Sequence, residues 1–317
     1  LDVRSYIGGL FFICGGCFAQ QDSISNPYIQ YFDDKLSVQL YMHQTSNDFT
    51  LKYTEDNTVV DVEPNKKTTL GVSVQYDFIS FSIGVAPRFF ANNKDRKDSK
   101  MTSFGFNFFP GQWIQHFDFY YQKGISLKAD GFEDVYLPGL KTLKIGGSTG
   151  YVFNENFSFK AVAFQNVKQL KSAGSFTPFV SYYYTELNGK KEPQLGGKAY
   201  FIDVALSPGY HYNLVVAKSF LISAGGSFGA GFSYINDDGE NNTAFLTQAT
   251  LTLSMGYNSD TFYGGLYSKG QVSNHNTSLG VNMNDVIGYG TLFFGYRFGA
   301  PKVVQEETQK IKDIIKI

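Results

Sequence analysis

The chain has 317 residues, with 27 Lys and Arg against 28 Asp and Glu and a formal net charge of −1, a balance that speaks against a nucleic-acid binder with its basic face. Only 17% of residues are charged, while another 17% are aromatic, and Gly is plentiful at 33; ordinary soluble domains carry about a quarter charged residues. The slightly hydrophilic mean hydropathy excludes a bundle of transmembrane helices, each of which needs about 20 consecutive apolar residues.

At the amino terminus, Arg4 precedes the apolar stretch Tyr6-Ile-Gly-Gly-Leu-Phe-Phe-Ile-Cys14, which continues through small residues to Ala19. The stretch is too short and too Gly-rich to span a bilayer, and it is predicted to be a signal peptide over residues 1–19, cleaved before Gln20. Both cysteines, Cys14 and Cys17, lie inside it, so disulfides and thiol chemistry leave with it. Two alternatives stand beside this reading: Cys17 as a lipidated first residue, or the whole stretch as a buried helix. Residues 20–35 are then a periplasmic segment.

Period-two alternation dominates from about residue 66 onward. Leu70, Val72, Val74 and Tyr76 oppose Gly71, Ser73 and Gln75, and Ile79, Phe81, Ile83 and Val85 oppose Ser80, Ser82 and Gly84. Phe104, Phe106 and Phe108 follow the same rule. The cleanest runs are 220–234, where Phe228, Phe232 and Tyr234 oppose Ser227, Gly231 and Ser233, and 245–257, where Leu251, Leu253 and Met255 oppose Thr250, Thr252 and Ser254. In a soluble sandwich the second face meets water and is rich in charge. Here it is Ser, Gly, Thr and Gln. The pattern predicts an all-β fold: a transmembrane antiparallel up-and-down β-barrel over residues 36–299, with the apolar face in lipid and small polar residues inside. A soluble β-sandwich or propeller is the competing architecture. Aromatics near strand ends, Tyr76, Phe109, Trp113, Tyr120, Tyr121, Phe153, Tyr234 and Tyr257, are expected to form interfacial girdles.

Short turns are expected at 77–78, 110–112, 154–156, 217–218 and 258–260, and long polar loops over 91–100, 123–141, 236–242 and 271–285. Between 157 and 217 the alternation of short and long fails unless an extra turn sits at Ser207-Pro208-Gly209, so the strand count is 12 or 14. The last strand ends Phe293-Phe294-Gly295-Tyr296-Arg297-Phe298, an aromatic finish of the kind that barrel-assembly machinery reads. Residues 300–317 form a periplasmic tail or short helix, since Val304, Ile311, Ile314 and Ile315 fall on one stripe. That stripe offers a docking surface for a neighbouring envelope protein.

Asp34-Lys35-Leu36-Ser37-Val38-Gln39-Leu40-Tyr41, the strand opening Leu70-Gly71-Val72, and Lys171-Ser172-Ala173-Gly174-Ser175-Phe176 resemble a Bacteroidota family catalogued as domain of unknown function 4421. The resemblance covers roughly residues 25–300. It implies a Gram-negative envelope protein and a barrel, and it carries over no catalytic residues.

Chemical motifs are sparse. His43, His116, His211 and His275 share no metal-binding spacing, and no His-Glu-x-x-His motif occurs, so no zinc site is predicted. His116 and Asp118 share the polar face of a strand, without an identifiable serine or cysteine nucleophile beside them. With Arg297 on the polar face of the last strand, they are the candidate polar residues of the lumen. The oxygens of 236–242 could serve calcium, although Asn, Asp and Gly also suit a solvated turn. Lys94, Arg96, Lys97 and Lys100 form a mixed-charge loop that could touch lipopolysaccharide. Gly146-Gly147-Ser148-Thr149-Gly150 lies in a predicted strand and is no phosphate loop.

The expectation is therefore a cell outer-membrane barrel with no cofactor and no catalytic residue. Its first assigned role is a transport or diffusion channel for small solutes, with rows of Gly and Ser leaving volume and Phe293, Tyr120 and His116 narrowing it. The alternatives are a closed structural or assembly barrel within an envelope complex, and third a lipid-modifying barrel enzyme. Expected partners are outer-membrane lipid and lipopolysaccharide, the assembly machinery during insertion, and an envelope protein.

Overall fold

The computed structural model describes residues 26–53, 59–64, 67–77, 79–90, 93, 99–129, 134–164, 166–192, 197–276 and 281–315. The predicted signal peptide and Lys94, Arg96 and Lys97 lie outside them. The strands are β1 (Ile29–Tyr31), β2 (Lys35–Tyr53), β3 (Val59–Pro64), β4 (Lys67–Tyr76), β5 (Ile79–Val85), β6 (Lys100–Phe108), β7 (Trp113–Ala129) and β8 (Val135–Tyr151). A four-residue helix, α1 (Phe159–Val162), precedes β9 (Val167–Gln169), β10 (Ala173–Phe176), β11 (Phe179–Asn188), β12 (Lys198–Ser207) and β13 (Gly209–Val216). The chain then runs through β14 (Phe220–Asp237), β15 (Glu240–Asn258), β16 (Phe262–Asn276) and β17 (Val281–Gly299) to helix α2 (Lys302–Ile315).

Antiparallel pairing closes a ring of 12 strands, in the order β2, β4, β5, β6, β7, β8, β11, β12, β14, β15, β16 and β17, and β17 returns to β2. That seam is long: Val281 pairs with Tyr53 and Gly299 with Lys35. The side chains are arranged inside-out relative to a soluble sheet. Phe228 (66% exposed), Leu251 (57%) and Phe294 (58%) project outward, while Ser233, Thr252 and Arg297 on the same strands are buried. Such a surface is stable only in hydrocarbon, and the closed ring leaves no sheet edge there with unpaired backbone groups. The fold is a transmembrane β-barrel.

The parity problem between 157 and 217 has a simple cause. β10 and β11 are one strand interrupted at Pro178, and β12 and β13 are one strand interrupted at Pro208. Proline cannot donate to a ladder, but its carbonyl still accepts: Tyr151 N–H donates to Pro178 (3.2 Å) and Phe228 N–H to Pro208 (3.1 Å). The turn expected at 207–209 is thus a corrected expectation, and the strand continues through it. Three expected loops also need correction. β7 and β8 run to Ala129 and from Val135, and β16 and β17 to Asn276 and from Val281. Over 236–242 the chain makes a two-residue hairpin, with Asp238 at φ 44° and Gly239 at φ 100°, the positive-φ geometry that suits the strand twist. Polar composition marked these strand ends as loops because they extend beyond the lipid-facing band.

At the loop end the ring narrows. β3 pairs with β2 and with β7, taking the place of β4, β5 and β6, so ten strands close the circle there instead of twelve. Fewer strands mean a smaller bore. Phe49, Val62, Ile125, Leu137, Phe201 and Met283 fill it as a hydrophobic cluster with other inward side chains. Two residues expected in the outer aromatic girdle point inward: Phe109 is buried and Tyr120 lines an internal cavity. Trp113, Phe153, Tyr234 and Tyr257 are exposed.

Residues 26–300 form one compact unit, and α2 belongs to a second. Within α2, Lys310 pairs with Glu307 at 2.6 Å and Gln309 donates to Asp313 at 2.9 Å, while Val303 and Ile311 are exposed.

Candidate functional site

The barrel interior is where the functional side chains gather, and an inward-folded segment shapes it. The turn expected at 154–156 opens instead a longer connection, residues 152–172, that packs inside the short-turn end. Asn154 starts it, accepting from the Asn156 N–H at 3.1 Å, and Ser158 caps α1 by accepting from Ala161 N–H at 3.3 Å. β9 then pairs with β1. Ile29, Ala161, Phe164 and Val167 pack with Leu221, Tyr263 and Phe293 of the wall.

Buried amides satisfy the irregular backbone of this segment, as low-dielectric surroundings require. Gln169 Oε1 accepts from Ser158 N–H (3.0 Å) and from Asn213 Nδ2 (3.1 Å), while its Nε2 donates to Asn156 O (2.7 Å). Asn258 Nδ2 donates to Val167 O at 3.2 Å. Arg297, at 2% exposure, fastens both inward pieces to the wall. Its Nη1 donates to Ser259 O at 2.6 Å, and its Nη2 donates to Asn258 Oδ1 at 2.9 Å and to Phe164 O at 3.3 Å. The guanidinium lies 4.5 Å from the ring of Phe32 and 4.3 Å from that of Tyr263, within cation–π range of each. Gly295 makes room for this arrangement, since a Cβ there would sit 2.1 Å from the Tyr263 ring.

Inside the barrel, on the short-turn half of β7, His116 lies between Asn107 (Nδ1 to Oδ1, 2.6 Å) and Asp118 (Nε2 to Oδ2, 2.9 Å). Asp118 also accepts from Tyr183 at 3.0 Å and from Tyr120 at 3.2 Å. His116 and Asp118 thus meet each other, while Arg297 belongs to the fastening of the inward segment. No described serine, threonine or cysteine side chain hydrogen-bonds to His116. The other histidines are spread out: His43 contacts Thr291 (2.8 Å), His211 contacts Thr177 (2.5 Å) and His275 contacts Asp203 (3.2 Å). Among the described residues no three His, Cys, Asp or Glu converge as metal ligands. In the 236–242 hairpin, Asn241 Oδ1 accepts from Tyr234 and Asn236, each at 2.6 Å, so its oxygens serve the turn.

Sequence reasoning missed the group that spans the lumen. Lys144 of β8 donates to Asp285 of β17 at 2.7 Å, with the two side chains 3% and 4% exposed. These strands are six places apart in the ring whichever way it is counted. The available signal was positional: Lys144, Lys269 and Asp285 each sit at an inward register of a strand whose neighbours face lipid. Cavities lie inside among the described residues, two of them beside the groups just named. One of about 200 Å³ lies beside Gln39, His43, Ser73 and Tyr120. The other, about 180 Å³, lies beside Phe159, Phe179, Thr250 and Lys269, and both touch His116 and Ala163 of the inward segment.

Fold and interior together define a twelve-stranded transmembrane barrel whose bore is filled at both ends. The chain belongs to the family described as Domain of unknown function (DUF4421), which matches residues 20–298. It matches no curated protein in sequence. Among solved structures it is similar to the outer membrane protease OmpT from Escherichia coli, at 9% identity, covering 86% of this chain and 100% of that one, with a TM-score of 0.33. It is also similar to the translocator domain of the autotransporter NalP from Neisseria meningitidis, at 10% identity, 82% and 88% coverage and a TM-score of 0.38. The transport unit of the autotransporter AIDA-I from Escherichia coli gives 12% identity, 93% and 98% coverage and a TM-score of 0.40.

Proposed function

We propose that this protein is an outer-membrane barrel of a Gram-negative cell that is closed at rest and serves as a subunit of an envelope complex. The observation that carries the reading is the Lys144–Asp285 pair, which ties opposite walls together at 2.7 Å. The hydrophobic cluster at one end and the fastened inward segment at the other support it. In this reading residues 1–19 direct export, lipid covers the apolar belt, and the aromatic last strand is presented to the assembly machinery. The apolar stripe of α2 docks a partner protein. In this reading the barrel is not an enzyme, and His116–Asp118 is a hydrogen-bonded pair of the interior.

A second reading, transport of a small solute, is favoured by the internal cavities of about 200 and 180 Å³. It requires the inward segment to move, since free diffusion needs a continuous aqueous bore. Single-channel recording in planar bilayers separates the two, after heat-modifiable gel migration has verified the refolded barrel. The closed reading expects insertion without stable openings. Long-lived discrete conductance overturns it. Deleting residues 302–317 is expected to abolish co-purification of a partner, and an intact protein recovered alone under mild detergent removes the assembly role.

A further inference from the structure

Lys144 and Asp118 each have polar or charged partners in contact inside the barrel. Lys144 has Asp285, and Asp118 has His116, Tyr183 and Tyr120. Lys269 of β16 is turned inward on the wall of the 180 Å³ cavity, and it makes no hydrogen bond or ion pair with any described residue. Asp118 and Lys144 are the charged groups near enough to influence it, and both are already engaged elsewhere. Lys269 is half-buried, and a cation partly withdrawn from water gains from a counter-charge in contact.

The cavity has a mixed lining. Beside Lys269 lie the hydroxyl of Thr250 and the amide of Gln271, groups that donate hydrogen bonds to an oxyanion. Apolar groups line it too, Phe159 and Val162 from the inward segment and Phe179 from β11, with the His211 ring against the two phenylalanines. The Phe159 and Phe179 rings stand 5.9 Å apart, and Phe159 lies 5.1 Å from the His211 ring. In volume, the cavity's 180 Å³ exceeds the roughly 150 Å³ that holds benzene in an engineered protein core.

We propose that this cavity is a binding site for a small monocarboxylate with a compact apolar body, its carboxylate on Lys269 and its body against Phe159 and Phe179. A phosphate fits less well, because one lysine supplies a single positive charge and the phenylalanine rings offer phosphate nothing. The site holds under either reading of the barrel's role, as a stored ligand in a closed barrel or a bound solute in a transporting one.

The test uses benzoate as the probe. The full chain is refolded in detergent with benzoate present, which removes any barrier to entry, then passed over a sizing column, and the retained probe is quantified. Parallel samples contain benzamide, the neutral isostere, or inorganic phosphate. The expected result is about one benzoate per barrel, with retention roughly tenfold or more lower for Lys269→Met, as the loss of a charged hydrogen bond implies, and largely kept for Lys269→Arg. Heat-modifiable migration confirms that each variant has folded. Equal retention of benzamide, retention unaffected by Lys269→Met, preference for phosphate, or no retained benzoate would each overturn the proposal.

Discussion

Replacing Lys144 with Met tests the idea that the lumen is held shut by a buried ion pair. At a separation of 2.7 Å the attraction is about 6 kcal/mol for an effective dielectric of about 20. Against this stands the cost of removing both ions from water, several kcal/mol for each. The two contributions nearly cancel, so the pair as a whole adds little net stability. Breaking it is different. Asp285 is 3% exposed and its Oδ1 already lacks a partner, so Lys144→Met strands a buried carboxylate at an expected cost of about 3–5 kcal/mol. Asp285→Leu strands the ammonium at a similar cost. The double variant, Lys144→Met with Asp285→Leu, removes both charges and is expected to recover most of the loss. Urea unfolding of each variant can be followed by fluorescence of Trp113, the single tryptophan, which stands at the start of β7 with its ring 5.0 Å from Tyr151. Single variants within about 1 kcal/mol of the parent, or a double variant as unstable as the two losses added, refute the reasoning.

Other variants probe the ends of the barrel. Arg297→Met removes charged hydrogen bonds of about 1.5–3 kcal/mol each, and amide exchange across residues 159–169 is expected to quicken by roughly tenfold or more; unchanged protection would mean that the inward segment is held by packing alone. Phe49→Ala, at a side chain 1% exposed in the loop-end cluster, is expected to lower stability by about 3–5 kcal/mol, and a urea midpoint equal to the parent's would show the cluster to be loose. Gly239→Val places a branched side chain at φ 100° and is expected to cost about 1–2 kcal/mol, whereas Asp238→Asn leaves the hairpin intact. Equal unfolding curves for the two would contradict the turn geometry.

The lipid-facing band was legible because each strand there obeys one rule. Phe228, Phe232, Leu251 and Leu253 alternate with small polar residues, and hydrocarbon on one side permits little else. Beyond the band the rule relaxes, so the ends of β7, β8, β16 and β17 read as loops. Pro178 and Pro208 read as breaks, yet a proline whose carbonyl still accepts interrupts a strand without ending it. The inward segment left the weakest trace. β1, β9 and α1 have three, three and four residues, too few for any period to emerge, and their partners lie far away in sequence. Of the interior polar groups, His116 and Asp118 were visible as a same-face pair two residues apart. Lys144 and Asp285 were not, because their contact crosses the lumen and depends on where opposite strands come to rest.

The seam between β2 and β17 has a consequence for biogenesis. β2 is the first ring strand to be made and β17 the last, so the strand that pairs with the seam edge of β2 does not exist until synthesis is nearly finished. For that interval β2 presents a row of unpaired amides and carbonyls, a template for any other strand that drifts past. Long-range pairing of this kind is slow, since loop closure precedes the contacts that reward it. A chain truncated before residue 281 keeps the seam edges of β2 and β16 bare, the kind of edge that invites aggregation.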